Sequence, residues 1–382
     1  MKSYDIIIIG AGIQGLALAY HLAKTGAGRV ALFDKGYPGA GASGRNGEMV
    51  RSAFASHAWI RLFDESLKLW ENLSRELDYN VMFTRCGYLV LASTDDAYRA
   101  CRSHLRLQKA HGLRTRLLDQ QAVLDLIPAL NPAMAAGGVL QPDAGFARHD
   151  AAVWAYLAAV KRLKVDLYPF TEVTAVDIKG QRVHGIRTQK AQVATPLVVN
   201  AAGGHAGRVA RMAGIELPTQ TYRLEMLVTE PIKPFLRPAL SSPHTMSYMH
   251  QTTRGEFAGG AETADLGPSR SIKSTLEAAR DMAQKFTRLF PTLAGVRLMR
   301  QWGGIVNMAP DVSPVIGPVH AIDGFILNCG WVYGFMGAPA AGKRLAEFIV
   351  SDRMPETLAP FSPQRFAKGE LIRDDSLAVP AG

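Results

Sequence analysis

Cysteine is scarce in this chain: three among 382 residues, Cys86, Cys101 and Cys329. No two stand at metal-clip spacing, so neither a metal site nor a disulfide framework is expected, and a reduced, cytoplasmic setting fits best. No run of 18 apolar residues occurs, so no membrane span is expected. The strand-like opening Asp5-Ile6-Ile7-Ile8-Ile9 follows a single Lys2, and glycines interrupt it without the cleavage pattern of a secretory leader. The formal charge is +10, from 43 Lys and Arg against 33 Asp and Glu. These cations are scattered, with no basic run and no interleaved aromatics, so nucleic acid is not an expected partner. The surplus reads as a solvated surface suited to anionic substrates or an acidic protein.

What is present is a large apolar fraction, 48 % of residues, with 36 Gly and 21 Pro. That is enough for a sizeable core, and the length suggests two domains or one large discontinuous one. The order of elements is legible in places. Ile6–Ile9 reads as a buried strand, Leu16–Ala23 as a helix and Val30–Phe33 as a second strand ending at Asp34. An amphipathic helix is predicted over Ile60–Leu77, a strand over Tyr88–Ala92, and polar helical stretches from Asp95 to Leu126, stopping before Pro128. Helix is expected again over Ala151–Leu163 and Ile272–Phe290, with strands at Val165–Tyr168, Glu172–Ile178, Arg182–Thr188 and Leu197–Asn200. Alternating strands fill Gln220–Glu262, and Gly324–Val350 reads strand, glycine loop, helix. Helix–strand alternation at both ends around a strand-rich middle implies a nucleotide domain with an inserted substrate domain.

The first turn carries chemistry. Gly10-x-Gly12-x-x-Gly15 separates the first strand from the first helix, and Asp34 follows the last glycine at close to the spacing of a ribose-binding acid, about 20 residues. Gly10 permits the tight turn, Gly12 lets backbone approach a pyrophosphate, and Gly15 lets helix pack on sheet. The helix N-terminus supplies amide donors and a favourable dipole for the anion. Asp34 suits two ribose hydroxyls and repels a 2′-phosphate. This pattern implies a bound dinucleotide without choosing between FAD and NAD.

The residues that follow make that choice. Gly39-Ala40-Gly41-Ala42-Ser43-Gly44-Arg45-Asn46, leading to Arg51, resembles the flavin-contacting loop of the glycine/D-amino-acid oxidase superfamily. Val198-Val199-Asn200-Ala201-Ala202-Gly203-Gly204 is similar to that family's second FAD motif, and Pro310-Asp311-Val312-Ser313-Pro314-Val315-Ile316-Gly317 to its C-terminal one. Within the superfamily the chain resembles the β subunits of heterotetrameric sarcosine oxidases and their relatives, the proline and hydroxyproline dehydrogenases, opine-oxidising enzymes and hydrogen cyanide synthase. Ser66–Glu71, Asp78–Phe83, Ala147–Ala151, Val228–Pro234 and Gln301-Trp302 carry that resemblance along essentially the whole chain.

The resemblance implies an α/β fold: a Rossmann-like FAD domain of the glutathione-reductase type with an inserted α+β substrate domain on a mostly antiparallel sheet. Residues 1–75, 148–215 and 305–382 would form the FAD domain, and 76–147 and 216–304 the substrate domain. It implies oxidation of an amine C–N bond, the flavin carrying the redox chemistry. FAD would be held by Gly10, Gly12, Gly15, Asp34, Lys35, Ser43, Arg45, Asn46, Val173, Ala202, Gly203, Asp311 and Gly334. Gly304 stands where monomeric relatives tether FAD through cysteine, so the attachment would be non-covalent. Arg51 matches the position that grips a substrate carboxylate, a role suited to a planar guanidinium fork. Tyr248, His250 and Tyr333 are further candidates for the substrate cavity.

Met336 stands where the heterotetrameric oxidases carry a lysine that helps oxygen take electrons, so a dehydrogenase is expected over an oxidase. Arg148 and His149 match the site where those enzymes hold FMN at a subunit boundary, covalently through the histidine, and Asp150 is the expected N-cap of the helix behind it. The implied assembly is an α-type subunit, with small iron–sulfur or other subunits. Two rival readings are a self-sufficient oxidase using oxygen and a catalytically silent flavin-binding subunit.

Overall fold

The computed structural model describes residues 3–262 and 267–376. The run Ile6–Ile9 is buried throughout because it lies inside a six-stranded sheet, flanked in parallel by Val30–Phe33 and Val198–Asn200. The sheet continues to Asp166–Tyr168 on one side and to Phe325–Cys329 and Val315–Pro318 on the other, and only the last pairing is antiparallel. Strands covered on both faces need apolar side chains on both, which explains the unbroken isoleucines. One face packs on the helices Ile13–Thr25, His149–Arg162 and Gly334–Ser351; the other is covered by a meander of Val173–Lys179, Arg182–Thr188 and Gln192–Ala194.

A second sheet has eight strands, in the order Leu298–Met308, Gln220–Pro231, Glu256–Ala261, Ser247–Gln251, Ala239–Ser242, Tyr88–Ala92, Gly137–Gln141 and Arg116–Asp119. Every pairing is antiparallel except that of Ala239–Ser242 with Tyr88–Ala92. One face buries Met249 and Phe257 against Met282 and Phe286 of the helix Leu276–Leu289. By strand alternation Tyr248 and His250 lie on the opposite face. This is the mixed α/β architecture that the sequence implied, and Leu298–Met308 runs across the expected domain boundary at 304.

Two expectations need correction. The polar stretch Asp95–Leu126 is two helices, Asp95–Ala110 and Gln120–Leu126, with the edge strand Arg116–Asp119 between them. The first helix stops before Gly112, whose φ of 79° turns the chain. Leu117 and Leu118 then pair with Val139 and Gly138, a tertiary contact that helical periodicity does not register. Asp150 is not the cap of its helix. The helix begins at His149, and the amide of His149 donates to Glu48 Oε1 at 3.0 Å, while Asp150 Oδ1 accepts only from Ala151. A carboxylate about 100 positions away in sequence thus caps this helix.

Candidate active site

The glycine turn is built tightly on its strands. A side chain at Gly10, φ 115°, would lie 2.3 Å from the carbonyl oxygen of Ala201. Gly12, Gly41 and Gly203 differ: a Cβ there would meet only Ser43 Oγ, at 3.0 Å from Gly12, and nothing within 4 Å at Gly41 or Gly203. Glycine surfaces facing open space at the start of a 13-residue helix make a cradle that fits a pyrophosphate. Ser43 Oγ accepts from the Ile13 amide at 2.9 Å, so the flavin-loop hydroxyl sits at the mouth of that helix. Asp34 accepts from the Ala11 amide at 2.7 Å and the Gly36 amide at 2.8 Å, holding the turn and presenting a carboxylate beside it. Lys35 Nζ lies 2.9 Å from His205 Nε2, next to the Ala202-Gly203 turn, and Val173 is buried at the start of the meander.

Arg45 and Asn46 shape the loop itself. Arg45 donates to Ala40 O, Asn46 donates to Ser43 O at 2.7 Å, and Asn46 Oδ1 accepts from the Glu48 amide. Gln14, absent from the sequence-derived site, ties two helix starts together: its Nε2 donates to Gly334 O at 2.7 Å and its Oε1 accepts from Asn328. Asp311 has another employment. Its two oxygens form a bidentate pair with Arg365 at 2.7 and 2.8 Å, both side chains nearly inaccessible, and it accepts from Ile372, so it anchors the C-terminal segment.

Arg51 is 6 % exposed and lies over Phe54 at 3.9 Å, Tyr88 at 5.2 Å and Tyr333 at 5.8 Å. Its guanidinium donates to Ala53 O at 2.8 Å and has no carboxylate partner among the described residues. Tyr333 closes this cage from the start of the Gly334–Ser351 helix. Burial, partly offset by Arg51, pushes its phenol up to about 12. Tyr248 packs on Gly47 and Gly260, where a methyl group would sit 2.3 Å and 2.5 Å from its ring and hydroxyl. Burial first, then the charges of Glu262, Tyr333 and Tyr88, raise its pKa. Burial also raises the pKa of Glu262, a carboxylate near both phenols that no sequence motif marked.

His250 joins a different group. Its ring packs against Phe146 at a 30° tilt, centroids 4.2 Å apart, and its Nε2 lies 3.4 Å from Glu48 Oε2. His149 Nδ1 is 2.9 Å from the other oxygen of Glu48, and Arg148 Nε is 3.4 Å from it. Burial would raise the Glu48 pKa, but the two histidines outweigh it and hold the carboxyl well below its ordinary range. Glu48 left no trace in the sequence because it belongs to no recognisable spacing. Met336 is buried in the apolar cluster, 5 % exposed, and its carbonyl accepts from Ser66 Oγ and Trp70 Nε1. All three cysteines are free. Among the described residues there is no metal-binding cluster and no helix long and apolar enough to cross a membrane.

A dinucleotide cradle on a parallel sheet, joined to an antiparallel sheet bearing aromatics and a buried arginine, defines a flavoprotein oxidoreductase. The family model for FAD dependent oxidoreductases (DAO) matches residues 5–348, and the chain belongs to that family. It is 34 % identical over 384 aligned residues to the sarcosine oxidase subunit beta of Rhodobacter capsulatus, covering 99 % of this chain and 92 % of that protein. Among solved structures it is similar to L-proline dehydrogenase from P. horikoshii, with 29 % identity, a TM-score of 0.92, and 97 % and 100 % of the two chains covered. Glycine oxidase from Geobacillus kaustophilus shares the fold at 23 % identity, with a TM-score of 0.88 over 96 % of this chain and 99 % of that one.

Proposed function

We propose that this protein is the FAD-bearing, β-type subunit of a heteromeric dehydrogenase that oxidises the C–N bond of a secondary amine or amino acid. Sarcosine, proline, hydroxyproline and opines are the substrate types concerned. Arg51 carries the reading. A guanidinium withdrawn from water, caged by three aromatic rings and with no carboxylate partner among the described residues, is a ready receptor for the carboxylate of an amino acid. The likeness to sarcosine oxidase subunit beta and to proline dehydrogenase supports the amine.

FAD would lie non-covalently along the Gly10–Gly15 turn with its ribose at Asp34, beside Ser43, Arg45, Asn46 and Ala202-Gly203. It supplies hydride acceptance. Arg51 fixes the substrate carboxylate, and Phe54, Tyr88 and Tyr333 exclude water around it. Tyr248 bounds the cavity from the eight-stranded sheet. The phenols stay protonated at neutral pH, so they offer hydrogen bonds without adding charge near a substrate cation.

His149 and Arg148, both part-exposed, would meet FMN and an α-type subunit. Glu48 already occupies the helix's first amide, so Arg148 would be the phosphate contact. Electrons would leave through that side, with Met336 offering oxygen no charge. The deciding experiment is anaerobic flavin reduction across a panel of N-substituted amino acids, with flavins identified after denaturation. The expected result is rapid bleaching by at least one of them and released FAD. Absence of FAD, or a panel in which none reduces it, refutes the proposal.

A further inference from the structure

Glu262 follows the strand Glu256–Ala261, and its backbone is pinned on both sides. Its amide donates to Met246 O at 2.9 Å, continuing the pairing with Ser247–Gln251, and its carbonyl accepts from Lys285 Nζ at 2.7 Å. Strand alternation puts its side chain on the face that carries Gly260 and Tyr248, opposite the one that packs Phe257 and Ala261 on the helix Leu276–Leu289. Tyr248 and Gly260 are directly paired, so Glu262 is a diagonal neighbour of Tyr248, about 7–8 Å away. This face meets the flavin-contacting loop. Trp302, in the same row as Gly260, donates to Arg45 O at 3.2 Å, and Tyr248 packs on Gly47.

The Glu262 carboxylate is half-buried and has no hydrogen-bond or ion-pair partner among the described residues, and neither have the hydroxyls of Tyr248 and Tyr333. Lys285, the cation facing it, is instead bonded to Asp281 Oδ2 at 2.8 Å and to the Glu262 carbonyl. The charge of Glu262 is felt at both phenols, and the Tyr333 ring lies 5.8 Å from the Arg51 guanidinium. A cation and an anion thus border the same phenols, each without a counter-charge among the described residues.

We propose that Glu262 receives the ammonium of the amino-acid substrate whose carboxylate Arg51 holds, and takes its proton before the C–N bond is oxidised. This deepens the reading of the chain as an FAD-dependent amine dehydrogenase and rests on it. An amino acid is a zwitterion at neutral pH, and its α-carbon gives up hydride only once the nitrogen is neutral. The N–H bond breaks as an O–H bond forms on Glu262. The freed lone pair then becomes the second bond of C=N while the Cα–H bond breaks, its electron pair leaving with the hydrogen for the flavin. Glu262 returns its proton to water when the product leaves. Burial, which favours the protonated carboxyl, suits it as the acceptor. A carboxylate that served only the scaffold would be paired with Lys285.

The test compares amino acids with their ether isosteres: sarcosine with methoxyacetate, and proline with tetrahydrofuran-2-carboxylate. Each pair differs only in the group that Glu262 would hold. Binding to the FAD-loaded protein, kept reduced by dithionite so that nothing turns over, is measured by anaerobic equilibrium dialysis. In the wild type at least one amine binds ten or more times tighter than its ether. In Glu262→Gln that amine weakens at least tenfold while the ether binds as well or better; Glu262→Asp keeps part of the preference. If Glu262→Gln does not load FAD, Glu262→Ser carries the same expectations. The pH profile of flavin reduction at low amine concentration gives a second reading. The groups facing Glu262 are Lys285, ion-paired with Asp281, and two phenols that stay neutral, so the wild-type loss of rate in acid belongs to Glu262. In Glu262→Gln that limb is replaced by a rise of about tenfold per pH unit toward the amine's own pKa. No preference for the amine in the wild type, or a preference and a profile unchanged in Glu262→Gln, overturns the assignment. If a Glu262-dependent preference is found but no amine reduces the wild-type flavin, the dehydrogenase reading falls and Glu262 stands as the ammonium receptor.

Discussion

Replacing Arg51 by methionine should separate stability from function. The guanidinium is buried with no counter-charge among the described residues, and removing a cation's contact with water costs several kcal/mol after relaxation, about 4.5 kcal/mol at this depth. The bond to Ala53 O returns about 1.5 kcal/mol, and the ring contacts about 2 kcal/mol for a desolvated site. The balance leaves Arg51 destabilising by about 1 kcal/mol in the ligand-free protein, and methionine fills much the same volume without a charge. Arg51→Met should therefore be as stable as wild type or slightly more so, a rise of about 1 °C in Tm for a chain this long. Against that, loss of a bidentate charge-assisted contact worth about 3 kcal/mol should weaken carboxylate binding by roughly a hundredfold. Calorimetry of the FAD-loaded protein with and without acetate reads both effects. Acetate should raise the wild-type Tm and leave the variant's unchanged. A variant that is clearly less stable, or that still responds to acetate, would refute the assignment of Arg51 as a carboxylate receptor.

Glu48→Gln should cost about 3 kcal/mol in urea denaturation at pH 7, since it removes the buried negative charge that faces Arg148 and weakens the acceptor that caps a helix. Because the folded Glu48 pKa lies below its unfolded value, that contribution is full above about pH 4.3 and is lost as pH falls toward the folded value. The difference between variant and wild type should accordingly shrink in acid; a constant difference would show that charge is not the cause. Asp34→Ala should weaken FAD retention by about 1.5–3 kcal/mol, seen as a rise in the FAD dissociation constant of more than tenfold; unchanged retention would remove Asp34 from the ribose site. Arg365→Ala should destabilise by about 3–5 kcal/mol, because it strands Asp311 without its bidentate partner, and chemical denaturation measures it. Reduced wild-type enzyme should reoxidise slowly in air and quickly with a quinone, and rapid oxidation by air would count against Met336 as the reason for a dehydrogenase.

Local signals in the sequence determined the nucleotide half of the molecule. A run of isoleucines, three glycines at set intervals and an acid at the end of the next strand suffice, because strand, turn and helix there are neighbours along the chain. The helices over His57–Glu76 and Leu276–Leu289 were legible for the same reason, their apolar faces recurring at helical spacing. Arg51 and His149 were marked as candidates by the motifs around them.

Tertiary structure alone decided what those residues meet. Only folding sets Arg51 among Phe54, Tyr88 and Tyr333, whose separations in sequence carry no period. Only folding turns Asp311 toward Arg365, gives the His149 helix a cap about 100 positions away, and gathers Glu48, His149 and His250 around one carboxylate. A helix or strand is specified by neighbours within a few residues, whereas a buried charge is satisfied by whichever distant segment the packing delivers, and that choice is made in space.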